Sequence, residues 1–275
     1  MELTLLGTGC PSVDHKRFGP SNLVSTKKAK ILVDCGSGIT QRLHELNVFS
    51  VDIDALLFTH LHSDHAVDLY QLIISSWHSY RIKPWKIYGP KGTKKFVKKI
   101  MDAWADERKL RISYEARTSA KAFEIDVIEF NSLGNLKIKD VKIKYFEVNH
   151  KPVKFAYGFC FTNKNKKLTI SGDTKPCENL MKYAQKSDVL LHEVFIEGEI
   201  KEINKMRTQK TLHNVQSYHT TSSEVGKIAF ISQVKKLVLT HFVPTRFNKN
   251  NLKRVVKKDF GKDPIIGEDL MTIKI

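Results

Sequence analysis

The sequence predicts an α/β protein, two sheets flanked by helices in a single domain. Apolar runs of strand length outnumber helical patterns in the first half, whereas strand–helix units dominate the second. Continuous apolar runs such as "DALLFTH", "VLLHEVF" and "KLVLTH" read as strands buried on both faces. No internal repeat, low-complexity tract or linker divides the 275 residues, and 41% hydrophobic content is enough for a full core.

In chain order, "MELTLLGTG" is a strand running into a glycine-rich turn, "CPSVDHKRFGPS" a loop, and "NLVSTKKAKILVDCGSG" a further strand segment. "LLGTG" resembles a phosphate loop only weakly, because no helix pattern follows and the lysine is missing. Ile39, Leu43 and Leu46 repeat at helical spacing in "ITQRLHELNV", and "DALLFTH" follows as a buried strand. Val67, Leu69, Leu72, Ile73 and Trp77 give the next helix face, and "WKIYGPKGTKKFVKKIMDAWADE" is another strand and helix. "FEIDVIEF" and "LKIKDVKIKYFEVNH" alternate with period two and are joined through the turn residues "NSLGN". "FAYGFCFTNKNKKLTISG" fits a strand hairpin turning at "TNKNKK". The chain closes with strand "VLLHEVF", helix "SSEVGKIAFISQ", strand "KLVLTH", helix "NLKRVVKK" and strand "LMTIKI".

Cys10, Cys35, Cys160 and Cys177 form no CxxC pair, the N-terminus lacks a basic start and a long apolar run, and no stretch approaches the roughly 18 apolar residues of a membrane span. These features predict a cytoplasmic protein with reduced thiols and no membrane partner. The balance of 46 Lys+Arg against 29 Asp+Glu gives +17, a field that attracts polyanions such as RNA or an anionic substrate. Most of the excess is lysine spread along the chain. Lys94, Lys95, Lys98 and Lys99 share one helical side, as do Lys253, Arg254, Lys257 and Lys258; without interleaved aromatics both read as solvated faces.

Several apolar strands end in a side chain able to ligate metal: His60, His150, Asp173, His192 with Glu193, and His241. Strand ends aim side chains into loops on a rigid support. In "FTHLHSDHAVDL", His60 and His62 lie two apart on extended backbone and aim to one side, while Asp64 and His65 face a second direction at a helix start. Imidazoles and carboxylates without thiolates suit a hard-to-borderline divalent ion. His60, His62, His65, His150 and His241 with Asp64 and Asp173 suffice for two metals sharing one carboxylate, a pair about 3.5–4 Å apart. Taken singly, each has a plainer reading. Asp173 in "SGDT" suits a turn, His219 precedes the capping box "TSSE", and His192 suits the core. His15, His44, His78 and His213 read as surface or loop residues.

HxHxDH, followed by His, Asp and His at later strand ends, resembles the metallo-β-lactamase superfamily. "LGTGCPSVDHKRFGPSNLV", "ILVDCGSGITQRL", "VNHKPVKFAYGF", "SGDTKPCENL", "LLHEVF", "YHTTSSEVGKIA" and "VLTHFVP" extend the likeness toward its ribonuclease Z and arylsulfatase-like branch. The resemblance implies an αββα four-layer sandwich spanning residues 1–275 as one hydrolase domain, with a dinuclear site on one rim. It implies that His60, His62 and His150 hold one zinc, that Asp64, His65 and His241 hold the other, and that Asp173 bridges them. Manganese or iron are the alternative metals. A hydroxide between the ions would be the nucleophile, positioned in part by Asp64. His219 would donate a proton to the leaving oxygen and Glu193 would orient it. His15 lies in the loop expected to border this site.

Ribonuclease Z proteins carry a long tRNA-binding arm between the third-histidine segment and the bridging aspartate. Only "KPVKFAYGFCFTNKNKKLTISG" stands there in this chain, so that arm is absent at that place. The expected activity is therefore a dinuclear-metal hydrolase of anionic esters, phosphodiesters first. An arylsulfatase-like sulfate-ester hydrolase and a nucleic-acid-binding protein with a structural metal site are the alternatives. The resemblance also admits a homodimer.

Overall fold

Period-two patterning divides almost every central strand between two cores, and this division builds the layers. The computed structural model describes residues 1–200 and 208–275. One sheet contains β1 (Glu2–Gly7), β2 (Ser21–Ser25), β3 (Lys30–Val33), β4 (Ala55–Leu57), β5 (Trp85–Gly89) and β6 (Ile125–Glu129). The other contains β7 (Leu133–Ile138), β8 (Val141–Glu147), β9 (Tyr157–Asn163), β10 (Lys166–Ile170), β11 (Val189–Phe195), β12 (Lys236–Val243) and β13 (Ile265–Ile266). The last strand, β14 (Thr272–Lys274), returns to the first sheet, giving the orders β14-β1-β2-β3-β4-β5-β6 and β13-β12-β11-β10-β9-β8-β7. Pairing is parallel along β3-β4-β5-β6 and along β10-β11-β12-β13, and antiparallel in the hairpins.

In β11, Val189 and Leu191 face the other sheet, while Leu190 and Val194 face helices; in β4, Ala55 and Leu57 face inward and Leu56 outward. The helices covering the first sheet are α1 (Ile39–Glu45), α2 (Leu69–His78) and α3 (Thr93–Ala103), whose Ile39, Leu43, Leu72, Ile73 and Val97 fill that outer core. After α3 comes α4 (Ala105–Glu115), none of whose residues is buried. On the second sheet, α5 (Glu178–Ala184), α7 (Ser222–Ile231) and α8 (Lys249–Phe260) bury Leu180, Val225, Ile228, Leu252 and Val256; α6 (Gln209–Gln216) lies between α5 and α7 in the chain. Three apolar layers between four layers of secondary structure make the αββα sandwich the sequence implied, in one domain. No helix among the described residues is long and apolar enough to cross a membrane.

The boundaries of α7 and α8 follow from local chemistry. Thr221 and Glu224 form the expected capping box, Asn248 accepts from the Asn251 N–H at 3.0 Å, and Gly261 ends α8 with φ 76°. Two strand readings need correction. "NLVSTKKAKILVD" is a hairpin, β2–β3, with the Thr26 N–H donating to the Ala29 carbonyl across its turn. "FEIDVIEF" and "LKIKDVKIKYFEV" are not joined by a turn at "NSLGN". Gly134 and Asn135 lie within β7, which belongs to the other sheet from β6, and the turn falls at Lys139–Asp140 with Lys139 at φ 51°. The glycine is there for space: the ring of its cross-strand partner Tyr145 lies where a Cβ at 134 would stand.

Candidate metal centre

The carboxyl ends of β4, β10 and β12 open on one rim, the place where parallel strands present ligands. His60 follows β4, and a single 3-10 turn at Ser63–His65 swings Asp64 and His65 around beside it. The glycine loop after β3 comes close beneath that turn. The Cys35 N–H donates to the His65 carbonyl at 2.7 Å, and a Cβ on Gly36 would collide with the Asp64 carbonyl. His150 lies beyond β8 and Asp173 beyond β10, while His241 lies within β12. Asp34 and His241 hold φ of 62° and 45°, left-handed values uncommon for non-glycine residues.

All seven predicted ligands converge. His60, His62, His150 and Asp173 form one group and Asp64, His65 and His241 another, with ligand atoms inside each group within 4.8 Å of one another. Asp173 Oδ2 lies between them, 3.9 Å from His60 Nε2 and His150 Nε2, 3.4 Å from His65 Nε2 and 3.3 Å from His241 Nε2. Asp64 Oδ2 is 3.3 Å from His241 Nε2 and 3.6 Å from His65 Nε2.

Hydrogen bonds behind the rings fix which nitrogen faces inward. The Thr59 hydroxyl donates to Asp34 Oδ2 at 2.8 Å, so at 3.0 Å it can only accept from His60 Nδ1. His65 Nδ1 donates to Asp34 Oδ2 at 2.9 Å, and His150 Nδ1 to the Tyr218 carbonyl at 2.8 Å. In neutral rings each Nε2 is then a lone pair turned to the centre, the usual state of a metal-binding histidine. The buried Nε2 atoms of His60 and His65 have no hydrogen-bond partner among the described residues, a cost a protein interior rarely tolerates without a ligand. The donor set fits a divalent metal ion.

The charges follow the same geometry. Burial, with the His65 ring next to it, pushes His60 well below the ordinary histidine value. At His65 burial opposes protonation, but Asp173, Asp34 and Asp64 outweigh it and raise the ring well above that value. His219 sits at the edge, where Glu193 Oε1 accepts from its Nδ1 at 3.1 Å. Burial again opposes protonation, and the Glu193 carboxylate overcomes it, raising His219 to about 9. The same Glu193 oxygen accepts from the N–H groups of Thr174 and Thr220 at 3.1 and 3.0 Å, tying the Asp173 and His219 segments together.

The remaining histidines sort as the sequence suggested. His192 is fully buried, its Nδ1 against the Glu193 carbonyl at 2.7 Å, and it joins none of the ligand-capable groups, the third of which is Asp173, His219 and His241. His44, His78 and His213 are exposed, whereas His15 lines two cavities beside the rim. Asp34 was missed by the sequence reading, although it too ends an apolar strand, in "ILVD". Its carboxylate also accepts from the Thr59 N–H at 2.8 Å, so one buried group orients His65 and the residue leading into His60.

Residues 1–205 match the family profile described as anti-Pycsar protein Apyc1. The chain is 31% identical over 281 residues to the ribonuclease Z of Mycolicibacterium gilvum, spanning 100% of this chain and 96% of that protein. Among solved structures, the metallo-β-lactamase-fold protein YhfI of Bacillus subtilis superposes with a TM-score of 0.78 at 19% identity, over 99% of this chain and 98% of that one. The short form of human tRNase Z gives 0.74 at 22% identity, over 100% and 99%.

Proposed function

Because the chain belongs to the ribonuclease Z family of metallo-β-lactamase-fold proteins, in the group the anti-Pycsar Apyc1 profile describes, we propose that it hydrolyses phosphodiester bonds at a two-metal centre. The observation that carries this reading is the convergence on Asp173 of the partnerless, pre-oriented Nε2 atoms of His60 and His65. In it, His60, His62 and His150 would hold one ion and Asp64, His65 and His241 the other, with Asp173 within reach of both groups. Zinc suits the imidazole-rich set, and manganese or iron are the alternatives. Bound divalent ions would supply Lewis acidity toward a phosphoryl oxygen and lower the pKa of a water.

The chain's own groups do the rest. Asp34 and Thr59 keep His65 and His60 in the metal-accepting tautomer. Asp64, on the open side of the rim, accepts hydrogen bonds from the attacking water. His219, its Nδ1 tied to Glu193, keeps a proton on Nε2 at neutral pH and delivers it to the leaving oxygen. The relatives' name makes RNA the first substrate to test. The chain between His150 and Asp173 is taken up by a short loop and the β9–β10 hairpin, so in this reading no long arm grips tRNA there.

Replacing Asp173 by Ala should remove several kcal/mol of transition-state stabilisation, roughly a thousandfold in turnover of bis(4-nitrophenyl) phosphate. Bound metal measured by mass spectrometry should fall with it, and full activity in that variant would refute the assignment. A panel adding 4-nitrophenyl sulfate and tRNA precursors separates the ester classes, with the phosphate diester expected to exceed the sulfate.

A further inference from the structure

Four buried side-chain atoms beside the metal centre have no hydrogen-bond partner among the described residues: Asn22 Oδ1, Glu193 Oε2, Thr240 Oγ1 and His241 Nδ1. All four residues line one small cavity, and each is between 1% and 7% exposed. The fold brings them together from two sheets. In β2, Asn22 stands in register with Leu5 and Val33, both in the core between the sheets, so its side chain shares their face. In β11 and β12, Glu193 and Thr240 are register partners, two residues beyond the inward-facing pair Leu191 and Val238. His241 follows Thr240 and turns its Nε2 toward Asp64 and Asp173, which leaves Nδ1 on the far side of the ring.

Size and hydrogen-bonding capacity define what fits. The cavity measures about 20 Å³, and one water needs roughly 10–15 Å³. In a neutral ring whose Nε2 faces the ligand group, His241 Nδ1 is a donor, and the Thr240 hydroxyl is a second. Glu193 Oε2 and Asn22 Oδ1 are acceptors. Two donors and two acceptors are the complement of a single water. His60, His65 and His150 each have an acceptor behind the ring, the Thr59 hydroxyl, the Asp34 carboxylate and the Tyr218 carbonyl; His241 has none among the described residues.

We propose that this cavity is a binding site for one ordered water, which accepts from His241 Nδ1 and the Thr240 hydroxyl and donates to Glu193 Oε2 and Asn22 Oδ1. The water fixes the His241 ring as Asp34 fixes that of His65. It also gives Glu193 a second role. Its Oε1 holds His219, and its Oε2 reaches His241 through the water, so one carboxylate positions both the proton donor and a ligand. Thr240 and Asn22 are then positioning residues for an ion they do not touch. This rests on the two-metal reading above and adds residues that reading does not use.

The test crystallises the zinc-loaded full chain and titrates zinc against a chelator. Wild type should show one water peak within hydrogen-bonding distance of both His241 Nδ1 and Glu193 Oε2. Thr240→Ile replaces the hydroxyl by an ethyl group that fills the cavity, and should weaken one of the two ions about tenfold while the other keeps its affinity. Thr240→Ser keeps the hydroxyl and should stay within about twofold of wild type for both ions. Should Thr240→Ile fold poorly, Asn22→Leu removes the acceptor on the opposite sheet and should weaken the same single ion. A wild-type cavity without a peak, a direct Glu193–His241 hydrogen bond, or unchanged zinc affinity in the folded variants overturns the proposal. So does equal weakening of both ions, or a loss in Thr240→Ser as large as in Thr240→Ile, because Thr240 would then serve packing alone. If wild type binds no zinc, the two-metal reading fails by itself, and crystals of the metal-free protein decide the water. A peak bonded to Glu193 Oε2 and Asn22 Oδ1 supports the site, and none there overturns it.

Discussion

The two ends of β4 carry buried, ionisable side chains under opposite rules. Beyond its carboxyl end, His60 and His65 turn Nε2 atoms inward with no hydrogen-bond partner among the described residues. Before its amino end, the guanidinium of Arg81 is just as buried but saturated. It donates to the carbonyls of Ile53, Val51, Lys83 and Pro84 at 2.9, 3.2, 3.0 and 3.1 Å and lies 4.0 Å from the Trp85 ring centre. Burial lowers Arg81 to about 10, which leaves it charged at neutral pH. A buried polar group with every partner inside the fold is a structural staple; one whose partners are missing, with its orientation already fixed, is shaped for something from outside.

Substitution should separate the two ends by what each variant loses. Arg81→Met removes the donor to five backbone carbonyls, that of Ser50 among them, and we expect a loss of about 3–5 kcal/mol in chemical denaturation with the metal-binding stoichiometry of the folded fraction unchanged. A cost below about 1 kcal/mol would break the comparison, because saturation would then not be what holds that end. Asp34→Asn should do the reverse. It weakens the hold on His65 and on Thr59, so metal affinity should fall about 10–100-fold while the melting temperature of the metal-free protein changes little. Unchanged affinity in a competition titration with a chelator would show that His65 needs no orienting carboxylate.

The ligand end was the legible one. His60, His62, Asp64 and His65 are close in sequence, and His150, Asp173 and His241 each follow an apolar run, so the dense cluster and the strand ends together marked them. Asp34 follows such a run too but stands before a glycine-rich turn, where an aspartate is ordinary. Arg81 left no trace, because its acceptors are backbone carbonyls, which every residue supplies. The β7 error has a related cause: Gly134 and Asn135 have turn chemistry, and only the Tyr145 ring on the partner strand explains the glycine. The segment "CPSVDHKRFGPS" reads only as a loop, and nothing in it shows that the fold brings Asp269, Arg42 and Arg246 around residues 14–17.

The amino end of the sheet also supplies the smallest test, through pH. Asp54 stands just before β4. Burial would raise its pKa, but bonds from Lys139 Nζ at 2.9 Å, the Lys30 N–H at 3.0 Å and Lys83 Nζ at 3.3 Å outweigh it and lower the carboxyl below the usual aspartate range. A carboxyl depressed by folding stabilises the native state above its unfolded pKa of about 4, and that contribution is lost as pH falls through the folded value. Both lysines are about half exposed, so the effect is small, under about 1 kcal/mol and screened by salt. Asp54→Asn should therefore be slightly less stable than wild type at pH 7, and the two should converge below about pH 3. A difference that persisted at acid pH would mean that Asp54 acts through its neutral hydrogen bond to Lys30, as Arg81 acts through its carbonyls, and that the amino end of β4 is held by backbone saturation rather than by charge.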